Sequence, residues 1–354
     1  MHLHLISNLR LGLCVPIALA SLLPLVGCGA RDHALAGSNK APAKPAPLKA
    51  KGVPAVRPSG KISHRANELG EIPILEYHHI EAKEDRWTRT PAAFRKDLER
   101  LHRLGYRPIS LMNYVNGKID LPEGRSGVIF TFDDSDPGQF RYLGSGATAK
   151  LDPNCAVAMM QAFEKAHPDF RARATFFVLP MLFGQKEFRQ RKMQELRKWG
   201  FEIGNHTWSH PQLRHLSADA GRKEIAKGVG LIHQSLPGYD VQSMALPYGS
   251  TPHDESILRR GSVNGVRYSH AAVVLAGANP ALSPFAKRFD PYRLPRIQGT
   301  ETAQPSFAFW LNELEKHPSR KFRSDGDSTT ITYPKALKRL LRPTVVKSRR
   351  VLEY

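Results

Sequence analysis

The stretch Gly127–Phe132, which reads GVIFTF and runs directly into Asp133 and Asp134, decides the fold. A second run of the same kind, ATFFVL, occupies Ala174–Leu179. Uninterrupted apolar runs of this length are typical of strands that are covered on both faces, as the strands of a parallel sheet are. The two runs therefore predict buried parallel strands, and the first of them ends on two carboxylates.

Short strands alternate with amphipathic helices on both sides of these runs, from about Glu71 onward. Thr90 and Pro91 are typical of a helix N-terminus, and Gly105 is typical of a helix end. Strand–helix alternation of this kind predicts a parallel α/β sheet. About seven such units follow one another, which favours a closed barrel over an open sheet.

Two polar elements follow predicted strands. Asp133 and Asp134 follow GVIFTF, and His206 and His210 follow the predicted strand Phe201–Gly204. The C-terminal strand ends form the active face of such folds, so the two elements are expected to meet there. Alone, adjacent Asp residues are more often a polar turn, and a His pair four apart shares one face only if the segment is helical. Together they offer three ligands with open positions left over, which is typical of a catalytic metal site.

Three motifs carry a family resemblance: TFDD at 131–134, HTWSH at 206–210 and LPYG at 246–249. In order and spacing they resemble the first three motifs of the polysaccharide deacetylases, carbohydrate esterase family four, which share the nodulation-factor deacetylase homology domain. LEYHHI at 75–80 and RLPRI at 293–297 resemble the opening strand and a late strand of the branch that acts on poly-β-1,6-N-acetylglucosamine. The resemblance thus covers most of the strand–helix region.

The resemblance implies a distorted (β/α) barrel of about seven strands that forms a single catalytic domain. It also implies a hydrolase that removes N-acetyl groups from a polysaccharide and releases acetate. Asp133 corresponds to the general base, and Asp134, His206 and His210 correspond to the ligands of a divalent metal. The backbone N–H of Tyr248 corresponds to a donor to the oxyanion. Zn²⁺ suits this ligand set best, and Co²⁺ or Ni²⁺ would also fit.

Two positions depart from the family pattern. Ala245 stands where many members have an Arg that is paired with the base. Arg296, from a neighbouring strand end, is the candidate replacement, and a structural or surface salt bridge is the alternative interpretation. The late strand also lacks the family's Leu-x-His motif, whose His protonates the leaving amine. His270 is the nearest substitute by sequence, with a structural role as the alternative, so the general acid is left unassigned and Asp133 itself is a candidate to return the proton.

Two further side chains are candidates for contact with the substrate. Trp208, inside the second motif, would stack on a sugar ring or pack in the core. His78, or its neighbour His79, would line the active face, while the other packs. A plain turn with a packed Tyr248 is the alternative interpretation of LPYG.

The ends of the chain differ in composition from the middle. Residues 1–27 predict a signal peptide that, together with Cys28, resembles the lipobox of bacterial lipoproteins, and an ordinary signal peptide that happens to precede a Cys is the alternative. Residues 28–66 are rich in Pro, Ala and Lys and predict an extended linker. Residues 67–316 would form the deacetylase domain, and residues 317–354 a basic C-terminal extension. This organisation predicts an exported, membrane-anchored lipoprotein of the bacterial cell envelope, on its periplasmic or outer face.

The net charge of +20 is concentrated at the two ends. Residues 29–69 hold eight Lys and Arg against two acids, and residues 316–354 hold eleven against three. These ends would favour an anionic envelope surface, unless they are simply solvated. The middle of the chain has little excess charge and shows no nucleic-acid-binding motif, which argues against a nucleic-acid partner.

Two other functions compete with deacetylation. A non-catalytic carbohydrate-binding protein would keep the fold, but the intact Asp133, Asp134, His206 and His210 argue against it. A glycoside hydrolase needs two carboxylates about 5–10 Å apart that bracket a bond, which an adjacent pair does not do. The expected substrate is an N-acetylglucosamine-containing polysaccharide of the cell envelope or a biofilm, and the choice among poly-N-acetylglucosamine, peptidoglycan and chitin fragments is open.

Overall fold

The structure is a computed structural model that describes residues 65–277 and 279–354, which belong to one compact unit. The predicted signal peptide (1–27), Cys28 and nearly all of the predicted linker lie outside the described residues. Among the described helices, none is long and apolar enough to cross a bilayer.

Strands and helices alternate along most of the described chain. The strands are β1 (Ile74–Tyr77), β2 (His79–Ile80), β3 (Thr88–Arg89), β4 (Tyr106–Pro108), β5 (Ser126–Phe132), β6 (Tyr142–Leu143), β7 (Lys150–Leu151), β8 (Thr175–Val178), β9 (Glu202–Asn205), β10 (Ser243–Ala245), β11 (Arg260–Val263), β12 (Val266–Ser269), β13 (Ala272–Gly277), β14 (Leu294–Gln298), β15 (Thr330–Tyr333) and β16 (Arg350–Glu353). The helices are α1 (Pro91–Arg103), α2 (Leu111–Val115), α3 (Ala156–Ala166), α4 (Arg189–Lys198), α5 (Ala218–Ser235), α6 (Ser256–Arg259) and α7 (Phe307–Lys316).

Local chemistry places the ends of α1 close to where the sequence predicts them. The Thr90 hydroxyl accepts a hydrogen bond from the N–H of Ala93, and Pro91 occupies the first helical turn. After the last turn, Gly105 adopts a left-handed φ of 82°, which glycine tolerates without a Cβ clash. The helix is therefore bounded by residues that satisfy or end its backbone hydrogen bonds.

Seven parallel strands close into a barrel in the order β1, β14, β13, β10, β9, β8, β5, and β5 pairs back to β1. β4 extends the sheet beyond the first half of β5. The ring of strands is irregular in two places. β9 and β10 are paired through a single residue pair, Asn205 with Met244. The register of β13 on β14 shifts between Val274 and Gly277. The predicted barrel is confirmed, and these irregularities distort it.

The side chains of β5 alternate between two cores. Val128, Phe130 and Phe132 belong to the outer core, which the helices cover. Ile129 belongs to the inner core, and Thr131 points the same way toward the barrel interior. All seven residues of β5 are buried. Burial on both faces is the reason that this strand is an uninterrupted apolar run.

The C-terminal residues contribute to the inner core. Phe322, Ile331 and Tyr333 belong to the same apolar cluster as the barrel-lining residues. The Glu68 carboxylate, just before the barrel, accepts a hydrogen bond of 2.8 Å from the N–H of Thr332. Residues 317–354, which their charge sets apart in the sequence, therefore pack against the barrel through their apolar side chains.

The segment Arg267–Val274 forms parts of two separate strands. β12 ends at Ser269 as the second half of a hairpin with β11, and β13 begins at Ala272 in the barrel. Between them His270 is buried, and its Nδ1 donates a hydrogen bond of 2.8 Å to the Leu258 carbonyl. This buried polar side chain anchors the chain where it changes direction.

Gly204 in β9 faces the barrel interior at a close approach. A Cβ there would lie 2.4 Å from the ring of Phe177 and 2.9 Å from the hydroxyl of Ser243. We expect Gly204→Ala to lower the free energy of unfolding by about 1–3 kcal/mol, because a packed core must shift to accept the methyl group. Thermal or denaturant unfolding measures this loss.

Gly230→Ala in α5 is the matched control. A Cβ at Gly230 would lie 3.7 Å from Val266, an ordinary contact. Because Ala has the higher helix propensity, this variant should be neutral or slightly stabilised. Equal free energies of unfolding for Gly204→Ala and the native protein would contradict the close packing of the barrel interior around Gly204.

Candidate active site

Polar side chains converge at the C-terminal ends of the barrel strands. Glu76 lies in β1 and Arg296 in β14, while Asp133 and Asp134 follow β5 and His206 follows β9. Parallel strands present their C-terminal ends at one face of a barrel, where active sites of such folds are built. Closure of the barrel thus brings together residues that are up to 220 positions apart in the chain.

Asp134, His206 and His210 have the geometry of a metal-ligand set. Asp134 Oδ1 lies 3.3 Å from His206 Nε2 and 3.6 Å from His210 Nε2. Within the described residues, Asp134 Oδ1 and His206 Nε2 are buried and lack a hydrogen-bond partner. The His206 Nδ1–H donates to the Ala245 carbonyl at 2.9 Å, which leaves Nε2 as the free lone pair. Two imidazoles and a carboxylate with such orphaned atoms fit a divalent cation.

The segment that carries the two His is a bend, and not the helix that their spacing would allow. Thr207 and His210 adopt left-handed φ values of 70° and 56°. Asn205 Oδ1 accepts the N–H of Thr207 at 2.9 Å, and Thr207 Oγ1 accepts the N–H of His210 at 3.2 Å. The two imidazole rings nevertheless lie 4.8 Å apart between centroids. Their convergence therefore comes from a hydrogen-bonded loop.

Left-handed backbone also marks the other two motifs. Asp134 and Ser135 have φ values of 71° and 52°, and Tyr248 has a φ of 57°. Each such conformation costs about 1–3 kcal/mol for a residue with a Cβ and persists only where the surroundings hold it. Strain of this kind is common at functional sites, and here it turns the chain sharply at the strand ends.

Arg296 binds the candidate base directly. Its side chain is fully buried and uses all five of its N–H donors. Nη1 and Nη2 donate to the two carboxylate oxygens of Asp133 at 2.8 and 2.7 Å. Nη2 also donates to Glu76 at 2.7 Å, Nη1 to the Thr131 hydroxyl at 3.0 Å, and Nε to the Leu275 carbonyl at 2.6 Å. The guanidinium that the family pattern expects near Ala245 is thus supplied from β14.

Burial and the neighbouring side chains shift the pKa values of the three carboxyl groups. Burial is the largest influence on the pKa of Asp133 and raises it, but Arg296 and His206 outweigh burial and hold this pKa well below its usual range. Burial also raises the pKa of Asp134, but the nearby His206 imidazole outweighs burial, so this pKa is lowered. Burial raises the pKa of Glu76, and Arg296 offsets only part of that rise. Of the two carboxyl groups that Arg296 bridges, Asp133 is therefore the more readily ionised.

A cavity of about 210 Å³ opens over Asp133 and Asp134. One wall carries His78, whose ring lies 4.7 Å from the ring of Trp87. One side-chain nitrogen of His78 lies within 4.8 Å of carboxylate oxygens of Glu76 and Asp133. A proton on His78 is thus within a short reach of the base.

The two predicted aromatic residues stand on the rim. Tyr248 is 65% exposed, borders the cavity over Asp133, and its ring lies 4.6 Å from the His210 ring. Trp208 is 38% exposed and borders an adjoining open cleft of about 440 Å³, which also contains Asp134 and Met181. Tyr248 and His78 therefore share the inner cavity, and Trp208 belongs to the outer cleft.

Sequence reasoning missed Glu76 and Trp87. A signal for Glu76 exists, because an acid near the end of a short, otherwise apolar strand is unusual unless it is paired. Trp87 lies in a loop with no comparable signal. His270 is, by sequence, the nearest substitute for the family's His that protonates the leaving amine. It lies outside the cavity, and burial lowers its pKa to about 4. Its buried hydrogen bond to the Leu258 carbonyl fits the structural role that the sequence offers as the alternative for this residue.

A family model described as polysaccharide deacetylase matches residues 121–269, which include all three motifs. Residues 121–269 therefore belong to the polysaccharide deacetylase family. A curated relative is the peptidoglycan-N-acetylmuramic acid deacetylase PdaC of Bacillus subtilis, which is 34% identical over 80 residues. That match covers 23% of this chain and only 16% of the length of PdaC.

Two solved structures share the fold. The Streptococcus pyogenes deacetylase PplD in complex with acetate aligns with a TM-score of 0.50 and 21% identity, over 68% of this chain and 97% of that one. The protein BA0330 of Bacillus anthracis also aligns with a TM-score of 0.50, with 14% identity over 68% of each chain. At such identities the comparison concerns the barrel and not the substrate.

The ligand set predicts one divalent-cation site per chain. Isothermal titration calorimetry of metal-free protein with Zn²⁺ should show one tight site. His206→Ala should lower the Zn²⁺ affinity by at least about 100-fold, because loss of a direct ligand weakens binding more than loss of a side chain that only hydrogen-bonds to a ligand. His253→Ala, at an exposed His away from the cavity, is the control and should bind as the native protein does. Unchanged Zn²⁺ affinity in His206→Ala would contradict the site.

Proposed function

We propose that this protein is a metal-dependent hydrolase that removes N-acetyl groups from an N-acetylglucosamine-containing polysaccharide of the cell envelope or a biofilm. The observation that carries the proposal is the Asp133 carboxylate, buried and fixed by Arg296, directly beside the three candidate ligands. Membership of the deacetylase family supports the same chemistry. The products would be acetate and a free amine on the sugar.

Asp134, His206 and His210 would hold the cation. A divalent cation at this site would supply Lewis acidity toward the acetyl carbonyl and toward water. Zn²⁺ is the ion that this mixed imidazole and carboxylate set suits best, and Co²⁺ or Ni²⁺ would also fit.

Asp133 would act as the general base. Water attacks the acetyl carbon as Asp133 accepts a proton from it, and the carbonyl becomes an oxyanion. A carboxylate offers about four lone-pair directions, so the two bonds to Arg296 leave acceptor capacity for this water. Because Arg296 lowers the proton affinity of Asp133, the base readily passes the proton on. The exposed turn at Tyr248 would offer its backbone N–H to the oxyanion.

His78 is the side chain best placed to protonate the leaving amine. It shares the cavity with Asp133 and is not one of the three candidate ligands. The tetrahedral intermediate collapses when the carbon–nitrogen bond breaks and the nitrogen takes a proton, which needs a donor on that side. Trp87 packs against His78 and would keep its ring in place.

The open outer cleft suits a polymer better than a small metabolite. Trp208 and Met181, both well exposed, border it and would contact sugar rings through their apolar faces. By its name, the curated relative deacetylates the N-acetylmuramic acid of peptidoglycan, which is an envelope polymer. An exported lipoprotein with basic ends would meet such a polymer at the envelope, and we include that location in the proposal.

Acetate release from N-acetylated polymers tests the function. Native protein loaded with Zn²⁺ is compared with Asp133→Asn on poly-N-acetylglucosamine, peptidoglycan and chitin oligosaccharides. We expect release from at least one polymer and a loss of about 10³-fold or more in Asp133→Asn, because the base is removed while the fold and the ligands stay. Full activity of the Asp133 variant would contradict the mechanism. Glycan binding with no acetate release by the native protein would support a non-catalytic binding protein instead.

A further inference from the structure

A second depression lies on the far side of Trp208 from the catalytic cleft. It measures about 400 Å³ and runs between α5 and the β11–β12 hairpin, and we call it the α5 groove. Trp208 borders both the catalytic cleft and the α5 groove. The two depressions therefore share one wall, which is an exposed indole ring.

The groove is tied to the metal-binding loop by α5. Glu224 on this helix accepts hydrogen bonds from the N–H groups of Trp208 and Ser209, at 3.2 and 2.8 Å. The Nδ2 of Asn205 donates to the Ile225 carbonyl, also on α5, at 3.0 Å. The helix that forms one side of the groove thus positions the loop that carries His206 and His210.

The opposite side of the groove is a short hairpin with a defined turn. Asn264 and Gly265 connect its strands with left-handed φ values of 50° and 81°, as a tight two-residue turn requires. The Tyr268 hydroxyl fastens the hairpin to the Ile257 carbonyl at 2.9 Å. Val263 and Val266 face α5 and give the groove an apolar wall. The side of the groove opposite α5 is therefore a hairpin with a defined turn and an anchor to α6.

The charge of the groove comes from α5. Lys223 and Lys227 lie one helical turn apart and both border the groove. Both are exposed, and within the described part of the chain neither makes an ion pair or a hydrogen bond. Glu224, the acid between them, already accepts two backbone N–H groups. Two like charges at this spacing destabilise a helix slightly, and an anionic ligand between them would relieve this repulsion.

We propose that the α5 groove binds the stretch of glycan next to the acetylated sugar, and that this stretch carries carboxylate groups. An apolar wall and an exposed indole suit sugar rings, and the two lysines suit carboxylates on them. The same lysines disfavour a stretch that already carries free amines. This inference rests on the proposed function, since it extends the substrate path beyond the catalytic cleft.

A matched pair of ligands tests the charge requirement. The probes are a hyaluronan octasaccharide, which alternates N-acetylglucosamine with a carboxylated sugar, and its methyl ester, which has the same backbone without the charges. Both are titrated into the Asp133→Asn protein, so that turnover does not interfere. We expect the acid form to bind about tenfold more tightly than the ester, and Lys223→Gln/Lys227→Gln to remove that difference while leaving ester binding unchanged.

The double variant Lys165→Gln/Lys198→Gln is the control, because it removes the same charge from exposed positions on α3 and α4. It should bind both probes as the parent protein does. Equal affinity for acid and ester, no measurable binding of the acid form, or the same loss in the control variant would overturn the proposal. Acetate release by native protein is measured in parallel, so that a failure of the deacetylase function is seen separately from a failure of the groove.

Discussion

The buried contact between Arg296 and Asp133 is the interaction on which the rest of the site depends. The guanidinium also binds Glu76 and the Leu275 carbonyl, so it joins β14 to β1, β5 and β13 inside the barrel. Buried charges are tolerated only when they are paired and hydrogen-bonded, and loss of one partner typically costs about 3–5 kcal/mol. The cluster therefore links barrel closure to the ionised state of one carboxylate.

This cluster explains why the adjacent residues Asp133 and Asp134 have different surroundings at the end of β5. The Asp that Arg296 holds is buried and accepts a hydrogen bond from Arg296 at each carboxylate oxygen, whereas its neighbour Asp134 turns through a left-handed φ of 71° toward the two imidazoles. The two adjacent carboxylates thus point in different directions, Asp133 toward Arg296 and Asp134 toward the imidazoles. Adjacent carboxylates repel in a buried site unless cations divide them. Here Arg296 lies on one side, and the candidate metal site on the other.

Much of this could be predicted from the sequence, because its signals are local. Burial of β5 on both faces leaves an apolar run, and the three motifs mark strand ends by their order and spacing. The conformation of residues 206–210 could not be predicted from the spacing of two His, since side chains of Asn205 and Thr207 hold the bend. The contact of Arg296 with Glu76 depends on closure of the barrel through β1, which is a long-range property. Trp87 and the α5 groove depend on loop packing, which leaves no pattern in the sequence.

A double-mutant cycle on acetate release tests the central claim most directly. The rate is measured for native protein, Arg296→Lys, Asp133→Asn and the double variant, with thermal unfolding as a check on the fold. If Arg296 acts through Asp133, Arg296→Lys slows the native protein by about tenfold or more, because Lys lacks the two-pronged contact, but adds little to Asp133→Asn. An equal loss in both backgrounds would contradict the account.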